Sequence, residues 1–547
     1  MDVLRGIAAA PGIAFGKVFK LERQRVQVEK RTASPDVEAS RLAAAIDAVR
    51  RSVVQMRDEL AANPEEAAIF EAHLMMLDDP DLTALVKTNL QFGAAFAWEK
   101  AFRHFAAQMD ALPDEYFRAR AADIRDVGRQ VLDALAGSGE GSLADLPEPV
   151  IVFAQDLAPS DTGRMNKSGV LGFVTAEGSA TSHVAILAKA LGIPAVVGIG
   201  EDLGKVTGGV PVILDGTSGI VVLQPDEAAL DRFREKQRRE QADSLNSMAH
   251  AHQPAVTVDG HRVEVMANAG SPDDARSAVS RGAEGIGLLR TEFLYMNRHT
   301  PPDEDDQTEA YRAIFGMMGG RPVIIRTLDI GGDKTPNYMD LGKEANPFLG
   351  WRAIRVCLDQ PDFFKTQLRA ILRAAEGFDV RIMFPMIATL EELHRARALL
   401  AEARSETGIA RSIPVGIMVE IPSVVQMSDW FAREVDFFSI GTNDLTQYTF
   451  AIDRTNPKVA SLATARHPAI YRQIARVIET AHARGIKVGV CGELAGDPEA
   501  IPVLLGLGLD EFSMSPGSIP RAKQIIRRWS FVDAQAAARQ ALGAEQA

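Results

Sequence analysis

Cysteine is scarce in this chain, with only Cys357 and Cys491 among 547 residues. Two thiols cannot build a disulfide framework, and their scarcity fits a reducing compartment. No uninterrupted apolar run approaches the ~18 residues of a membrane span, so no transmembrane helix is expected. The first residues lack the basic and then apolar pattern of a secretory signal. Together these absences lead to the expectation of a cytoplasmic protein. A basic block is missing too: 60 Lys and Arg stand against 73 Asp and Glu, for a formal net charge of −13. Phosphate neutralisation needs clustered Lys and Arg, so a nucleic-acid partner is not expected.

What is present is the composition of a folded protein, 46% hydrophobic and 24% charged. At roughly 150 residues per domain, the length suggests three or four domains. Residues 1–28 carry Gly6, Pro11, Gly12 and Gly16 between short apolar runs, which reads as strands and turns. At Ser34-Pro35-Asp36 the texture changes to that of a helix start. Amphipathic stretches follow at 37–60, 64–77, 81–91, 92–109 and 123–135. In the first of them Leu42, Ile46, Val49, Val53 and Met56 form one apolar face. Residues 36–91 hold 11 acidic and 5 basic side chains, a solvated face that could also dock a basic partner.

Gly137 to Ser142 is a turn-rich end to this helical block. Strand signals return at 150–153, 169–174, 195–197 and 212–214. The simplest organisation is an α/β domain of residues 1–28 plus 143–224 with an all-helical bundle, 29–142, inserted into it. Residues 226–250 are densely charged with few apolar positions, which predicts a helical linker over 225–253 that packs in neither neighbour.

From 254 to 547 strands alternate with helical patterns. The strands read as 263–266, 285–289, 323–325, 380–383, 415–419, 437–440, 488–490 and 511–513. Eight strand–helix units predict a (β/α)8 TIM barrel, with a doubly wound open sheet as the rival.

Barrel sites lie where strands end. The residues there are Asn268, Arg290, Arg326, Glu420, Asn443 with Asp444, and Cys491 with Glu493. Arg290 and Arg326 offer planar forks matched to phosphate or carboxylate oxygens. Glu420 and Asp444 offer hard oxygen ligands that suit Mg²⁺ shared with a phosphorylated substrate. Gly331-Gly332 would let the backbone approach a ligand closely. Cys491 reads equally as a general acid toward carbon or as a packed core thiol, and Cys357, inside a helical pattern, reads as core. In the α/β domain, Gly178-Ser179-Ala180-Thr181-Ser182-His183 runs directly into an apparent helix. A histidine there can face an anion held by free backbone N–H groups, or carry a transferred group covalently. A satisfied structural histidine is the alternative.

Longer motifs occur in order along nearly the whole chain. They include Gly6-Ile7-Ala8-Ala9-Ala10-Pro11-Gly12, Ile69-Phe70-Glu71-Ala72-His73-Leu74-Met75 and the Thr181-Ser182-His183 loop. Gly287-Leu288-Leu289-Arg290-Thr291-Glu292-Phe293 and Arg326-Thr327-Leu328-Asp329-Ile330-Gly331-Gly332-Asp333-Lys334 follow. Gly441-Thr442-Asn443-Asp444-Leu445-Thr446-Gln447-Tyr448 and Cys491-Gly492-Glu493-Leu494-Ala495-Gly496-Asp497 complete the set. With these motifs the chain resembles the PEP-utilising phosphotransferases, closest to the phosphoenolpyruvate–protein phosphotransferases, enzyme I of the bacterial phosphotransferase system.

The resemblance implies a swivelling phosphohistidine domain, an inserted bundle that binds an HPr-like carrier protein, and a PEP-binding barrel that also forms a homodimer. It implies that His183 is phosphorylated on a ring nitrogen. Arg290, Arg326, Arg454 and Asn443 would bind phosphoenolpyruvate, Glu420 and Asp444 would bind Mg²⁺, and Cys491 would protonate the enolpyruvate product to pyruvate. His183 and the arginines fall in different predicted domains, so the two transfers require a rigid-body movement. Ser179-Ala180 before the Thr-Ser-His triplet is similar to the nitrogen-related paralogue, which leaves the carrier open between the sugar and nitrogen branches. A dikinase or synthase of the same superfamily would need an ATP-binding domain that has no counterpart here. The remaining alternative is a non-catalytic regulatory homologue that binds HPr-like partners.

Overall fold

The computed structural model describes residues 2–21, 28–59, 64–110, 115–137, 143, 146, 148–157, 161, 165–166, 168–178, 182–296, 298, 300–332, 336, 338–339, 341–342, 344–454, 456, 459, 462 and 464–543, with the side chains of 59, 64–69, 115–120, 122, 183, 186 and 190 left aside. The chain forms two compact units, Met1–Glu240 and Gln241–Ala547.

The first unit is built on an eight-stranded mixed sheet. Its strands are β1 (Asp2–Arg5), β2 (Ile7–Ala10), β3 (Ile13–Lys20), β4 (Val150–Ala154), β5 (Val170–Thr175), β6 (Ala195–Val197), β7 (Pro211–Asp215) and β8 (Ile220–Leu223). Their order across the sheet is β1-β8-β7-β3-β4-β5-β6-β2. β4 is buried along its whole length, so Val150 to Ala154 read as a continuous apolar run rather than an alternating one. β3 and β4 are parallel neighbours, with Lys17 opposite Val150, although 129 residues separate Lys20 from Val150 in sequence.

That intervening stretch holds five helices: Pro35–Glu59, Pro64–Leu77, Pro80–Lys87, Ala94–Asp110 and Glu115–Ala136. Leu42, Val49, Val53 and Met56 of the first meet Trp98, Ala101, Val131 and Leu132 in a separate core. Trp98 is buried and donates its indole N–H to the Gly128 carbonyl at 2.8 Å. Gly128 is required there, because a Cβ would lie 2.4 Å from the Phe102 ring.

The charged helix spans Glu227–Ala249. Contrary to the expectation of a helix packed in neither neighbour, its first half is anchored on the first unit's sheet. Phe233 and Leu230 pack on Ile13, Ile213 and Val222. Gln237 donates to the Ile13 carbonyl at 2.6 Å, and Lys236 pairs with the buried Asp215. Two apolar residues three apart suffice for this contact, which is too small a signal to stand out from the surrounding charge.

The second unit is a closed barrel. Its eight parallel strands are β10 (Arg262–Ala269), β11 (Ile286–Leu289), β12 (Val323–Arg326), β13 (Val380–Phe384), β14 (Val415–Val419), β15 (Phe437–Ile440), β16 (Lys487–Val490) and β17 (Glu511–Met514). β17 pairs with β10 and β10 with β11, which closes the ring, and the short β9 (Ala255–Val256) adds antiparallel to β10. The open doubly wound rival is thereby excluded. Residues facing the helices form one large core. Those facing inward include Leu288, Ile324, Met383, Met418, Phe437 and Cys491. Gly416 leaves the space filled by the Phe437 ring, which would lie 2.5 Å from an added Cβ.

Near the strand starts, Glu264 of β10 and Glu511 of β17 stand in register. Burial, and next the neighbouring Glu264, push the Glu511 carboxyl up to about 7, against the pull of Arg381 and Lys487. An unfolded glutamate titrates near 4.3. Between these values the folded chain holds a proton that the unfolded chain has released, so this group's contribution to stability falls as pH rises from about 4.5 through 7. Replacing Glu511 by Gln is expected to remove that fall. Urea titrations should show E511Q matching the wild type at pH 4 and exceeding it by roughly 3 kcal/mol above pH 8.

Candidate functional site

Several strand ends at the C-terminal rim of the barrel deliver polar residues to one place. Arg290 follows β11, Arg326 ends β12, Glu420 follows β14, and Cys491 follows β16. Asn443 and Asp444 lie in the first turn of the helix Thr442–Phe450 after β15. With Arg454 they line one pocket of about 130 Å³, together with Asp329 and Arg352. Of the barrel residues named from the sequence, Asn268 and Glu493 do not line this pocket; Asn268 instead donates to the Cys491 carbonyl at 2.9 Å and accepts from the Ser513 hydroxyl at 2.7 Å.

The pocket is organised by buried ion pairs. Arg326 pairs with Glu292 and, at 3.0 Å, with Asp329. Arg352 forks onto Asp329, with Nε 2.9 Å from one carboxylate oxygen and Nη2 3.1 Å from the other. It also reaches Asp444 at 3.2 and 3.4 Å and the Tyr448 hydroxyl at 3.3 Å. Arg454 stands 3.9 Å from Asp444. Burial alone would lower the Arg326 and Arg352 pKa values. The surrounding carboxylates outweigh it, so both guanidinium groups are held above their ordinary value.

Arg290 differs from them. It is exposed on the pocket wall, and among the described residues its guanidinium has no carboxylate partner. The Arg326 Nε is likewise buried without an acceptor. These two unused donor groups suit an incoming anion.

Glu420 is 1% exposed. Burial, then the charges of Asp444 and Asp329, push its carboxyl up to about 8 despite Arg352 and Arg326. Four arginines and the carboxyl groups of Glu292, Asp329, Glu420 and Asp444 thus meet at this rim, in a chain that is acidic as a whole. One Glu420 oxygen accepts the Met386 N–H at 2.7 Å. Met386 has φ 56°, and Ala353, beside Arg352, has φ 53°. Strained non-glycine backbone on two sides of a pocket marks a place where geometry has priority over local stability.

Glu420 and Asp444 fit a hard divalent cation: two buried carboxylates close enough to repel each other would be relieved by it. Among the described residues no group of three or more His, Cys, Asp or Glu side chains could hold a metal. Such an ion would draw its remaining ligands from water or substrate oxygens.

Cys491 is buried, and burial first of all pushes its thiol up to about 11. It is a protonated thiol at neutral pH, as a proton donor must be. Asn443 accepts the Glu493 N–H at 3.3 Å through Oδ1. Gly331 (φ 102°) lets its own chain pass: an added Cβ would lie 2.7 Å from the Trp351 carbonyl. Its close approach is thus to the segment carrying Arg352, and Asp333 and Lys334 lie outside the described residues.

Sequence reasoning missed Arg352 and Tyr448 as site residues. Arg352 lies 26 residues beyond the end of β12, too far for a search of strand ends. Its available signal was Trp351-Arg352 closing the long segment opened by Asp329.

In the first unit, His183 opens the nine-residue helix His183–Leu191, with Ser182 as N-cap. Among the described residues the buried Ser182 hydroxyl makes no cap bond and has no hydrogen-bond partner. Val184, Ala185 and Ala188 hold the helix on the sheet beside Val152, Phe173 and Val197. Gly192 ends it in the left-handed conformation, φ 68°. The backbone of His183 thus lies in the first turn, where N–H groups are free for an anion. Residues 179–181 lie outside the described set.

Removing the buried Arg352 charge leaves Asp329 with Arg326 and Asp444 with the more distant Arg454. Arg352→Met is expected to cost about 3–5 kcal/mol in urea unfolding of the barrel. Arg290→Met is expected to stay within ~0.5 kcal/mol of the wild type.

Three family models match in succession. They are the N-terminal domain of PEP-utilising enzymes (residues 5–120), their mobile domain (146–219) and their PEP-binding domain (245–531). The phosphoenolpyruvate-protein phosphotransferase of Geobacillus stearothermophilus is 47% identical over 96% of this chain and 93% of its own. That of Bacillus subtilis (strain 168) is 45% identical over 98% and 96%. Among solved structures, the NMR solution structure of Enzyme I (nEIt) matches 44% of this chain and 99% of that one at 37% identity, with a TM-score of 0.38. With identity of this order over almost the full length of both chains, this protein belongs to the phosphoenolpyruvate–protein phosphotransferase family.

Proposed function

We propose that this chain takes the phosphoryl group of phosphoenolpyruvate onto His183, releases pyruvate, and passes the group to a histidine of an HPr-like carrier. The observation that carries the reading is the cluster of Arg290, Arg326, Arg352 and Arg454 in one pocket beside the buried thiol of Cys491. In the first step the P–O bond to the enol oxygen breaks and a P–N bond to the His183 ring forms. The electron pair stays on the enolate. Arginines fixed in advance stabilise that charge without reorganising. Proton transfer from Cys491 to the terminal carbon then yields pyruvate. Glu420 and Asp444 are the residues that would hold Mg²⁺, which when bound adds positive charge beside the phosphate.

In this reading, residues 1–28 with 143–224 carry the phosphohistidine, the bundle of 29–142 receives the carrier, and 254–547 binds phosphoenolpyruvate and forms a homodimer. The acidic surface of the bundle supports a carrier with a basic face. The carrier belongs to the sugar or the nitrogen branch. No described helix is long and apolar enough to cross a membrane, which accords with a cytoplasmic location.

Incubation with labelled phosphoenolpyruvate and Mg²⁺ is expected to attach one acid-labile phosphate per chain to the wild type and none to H183A. Replacing Cys491 by Ser is expected to slow pyruvate release ~10²-fold or more, the usual scale for removing a general acid. Absence of label on the wild type at any Mg²⁺ concentration would overturn the reading in favour of a regulatory homologue that binds HPr-like partners.

A further inference from the structure

Behind the pocket, on the helix side of β11 and β12, lies a polar cluster that the reaction does not use. At its centre is Gln367, 1% exposed, on the helix Pro361–Ala374. Its Oε1 accepts the Leu328 N–H at 3.0 Å. Its Nε2 donates to the Thr291 hydroxyl and to the Tyr311 hydroxyl, both at 3.2 Å. Neither hydroxyl proton is available to point back at Gln367. Thr291 donates its own to the Arg326 carbonyl at 3.1 Å, and Tyr311 donates to Gln307 Oε1 at 3.2 Å. The orientation of the amide is therefore determined, with oxygen toward Leu328 and nitrogen toward the hydroxyls.

The atoms that Gln367 holds are adjacent in sequence to the pocket residues. Thr291 lies between Arg290 and Glu292, and Leu328 directly precedes Asp329. Glu292 and Asp329 are the two carboxylates that hold Arg326. A single side chain thus ties together the two loops that carry one free guanidinium, one paired guanidinium and both of its carboxylates. Gln367, Thr291 and Tyr311 are each buried, so a lost bond here is not replaced by bulk water.

We propose that Gln367 is a positioning residue for the anion pocket: its amide sets the spacing of the β11 and β12 loops, and through them the placing of Arg290 and Arg326. Its kinetic consequence rests on the reading of the pocket as the phosphoenolpyruvate site, whereas the clamp itself does not.

The test uses the full-length protein with Gln367→Met, which keeps length and removes all three bonds, and Gln367→Glu. For Q367M, amide exchange without substrate is expected to quicken at least tenfold in residues 290–294 and 326–330 and to stay unchanged in β14 and β16. Its KM for phosphoenolpyruvate in the labelling reaction should rise about tenfold, with kcat altered less than threefold and the melting midpoint within a few degrees. For Q367E, a neutral carboxyl keeps one acceptor and one donor, whereas the ionised form loses the donor to Thr291 and Tyr311. Its KM relative to wild type should therefore approach one near pH 6 and climb toward pH 9. A residue that merely fills space would give no such pH-dependent rescue. Unchanged exchange in Q367M, or faster exchange throughout the barrel with KM intact, would overturn the proposal. A wild type that takes no phosphoryl group from phosphoenolpyruvate overturns the proposed function alone, since the exchange measurement still decides the clamp.

Discussion

Guanidinium groups repel one another, and a pocket of about 130 Å³ lined by four of them can exist only if carboxylates are interleaved with the arginines. This constraint governs the barrel mouth. Asp329 serves Arg326 and Arg352 together, and Asp444 serves Arg352 and stands near Arg454. Glu292 closes the chain on the far side of Arg326. The network's members come from the segments that follow β11 (Glu292), β12 (Arg326, Asp329 and Arg352) and β15 (Asp444), so it cannot form unless these strands are brought round the barrel in register. Mutual pairing also restricts what is left over: Arg290, outside the network, keeps its charge for a ligand.

Much of this was legible in the sequence because barrel geometry converts position along the chain into position in space. Once eight strands were recognised, the residue after each was a candidate, and Arg290, Arg326, Glu420, Asp444 and Cys491 do share one pocket. Asn443 was legible in the same way, whereas Arg454 came from resemblance rather than from a strand end, and both line the same pocket. Arg352 was illegible for the converse reason. It arrives on a long segment whose path depends on Gly331 lying against Trp351 and on the strained backbone of Ala353. Neither feature has a periodic signal. Glu420 was legible as an oxygen ligand but not as a carboxyl with a raised pKa, because that shift depends on its burial beside Asp444 and Asp329.

The first unit shows the same division. The five helices announced themselves through apolar spacing, and the alternation of 1–20 announced strands. The pairing of β3 with β4 was not readable from spacing, since the helices between them have their own core and impose no length on the sheet. The helix Glu227–Ala249 was misread because burial of Phe233 and Leu230 is a local matter of two side chains. Average charge over the segment obscured it.

The two thiols have a consequence for oxidative chemistry. Peroxide attacks thiolate, and with Cys491 titrating near 11 only about one molecule in ten thousand carries thiolate at pH 7. Cys357, wholly enclosed, is pushed up as well, again first by burial. Neither sulfur is placed to start the ladder from sulfenic to sulfonic acid. A donor that gives up its proton reluctantly is, by the same physics, a thiol that peroxide finds hard to attack.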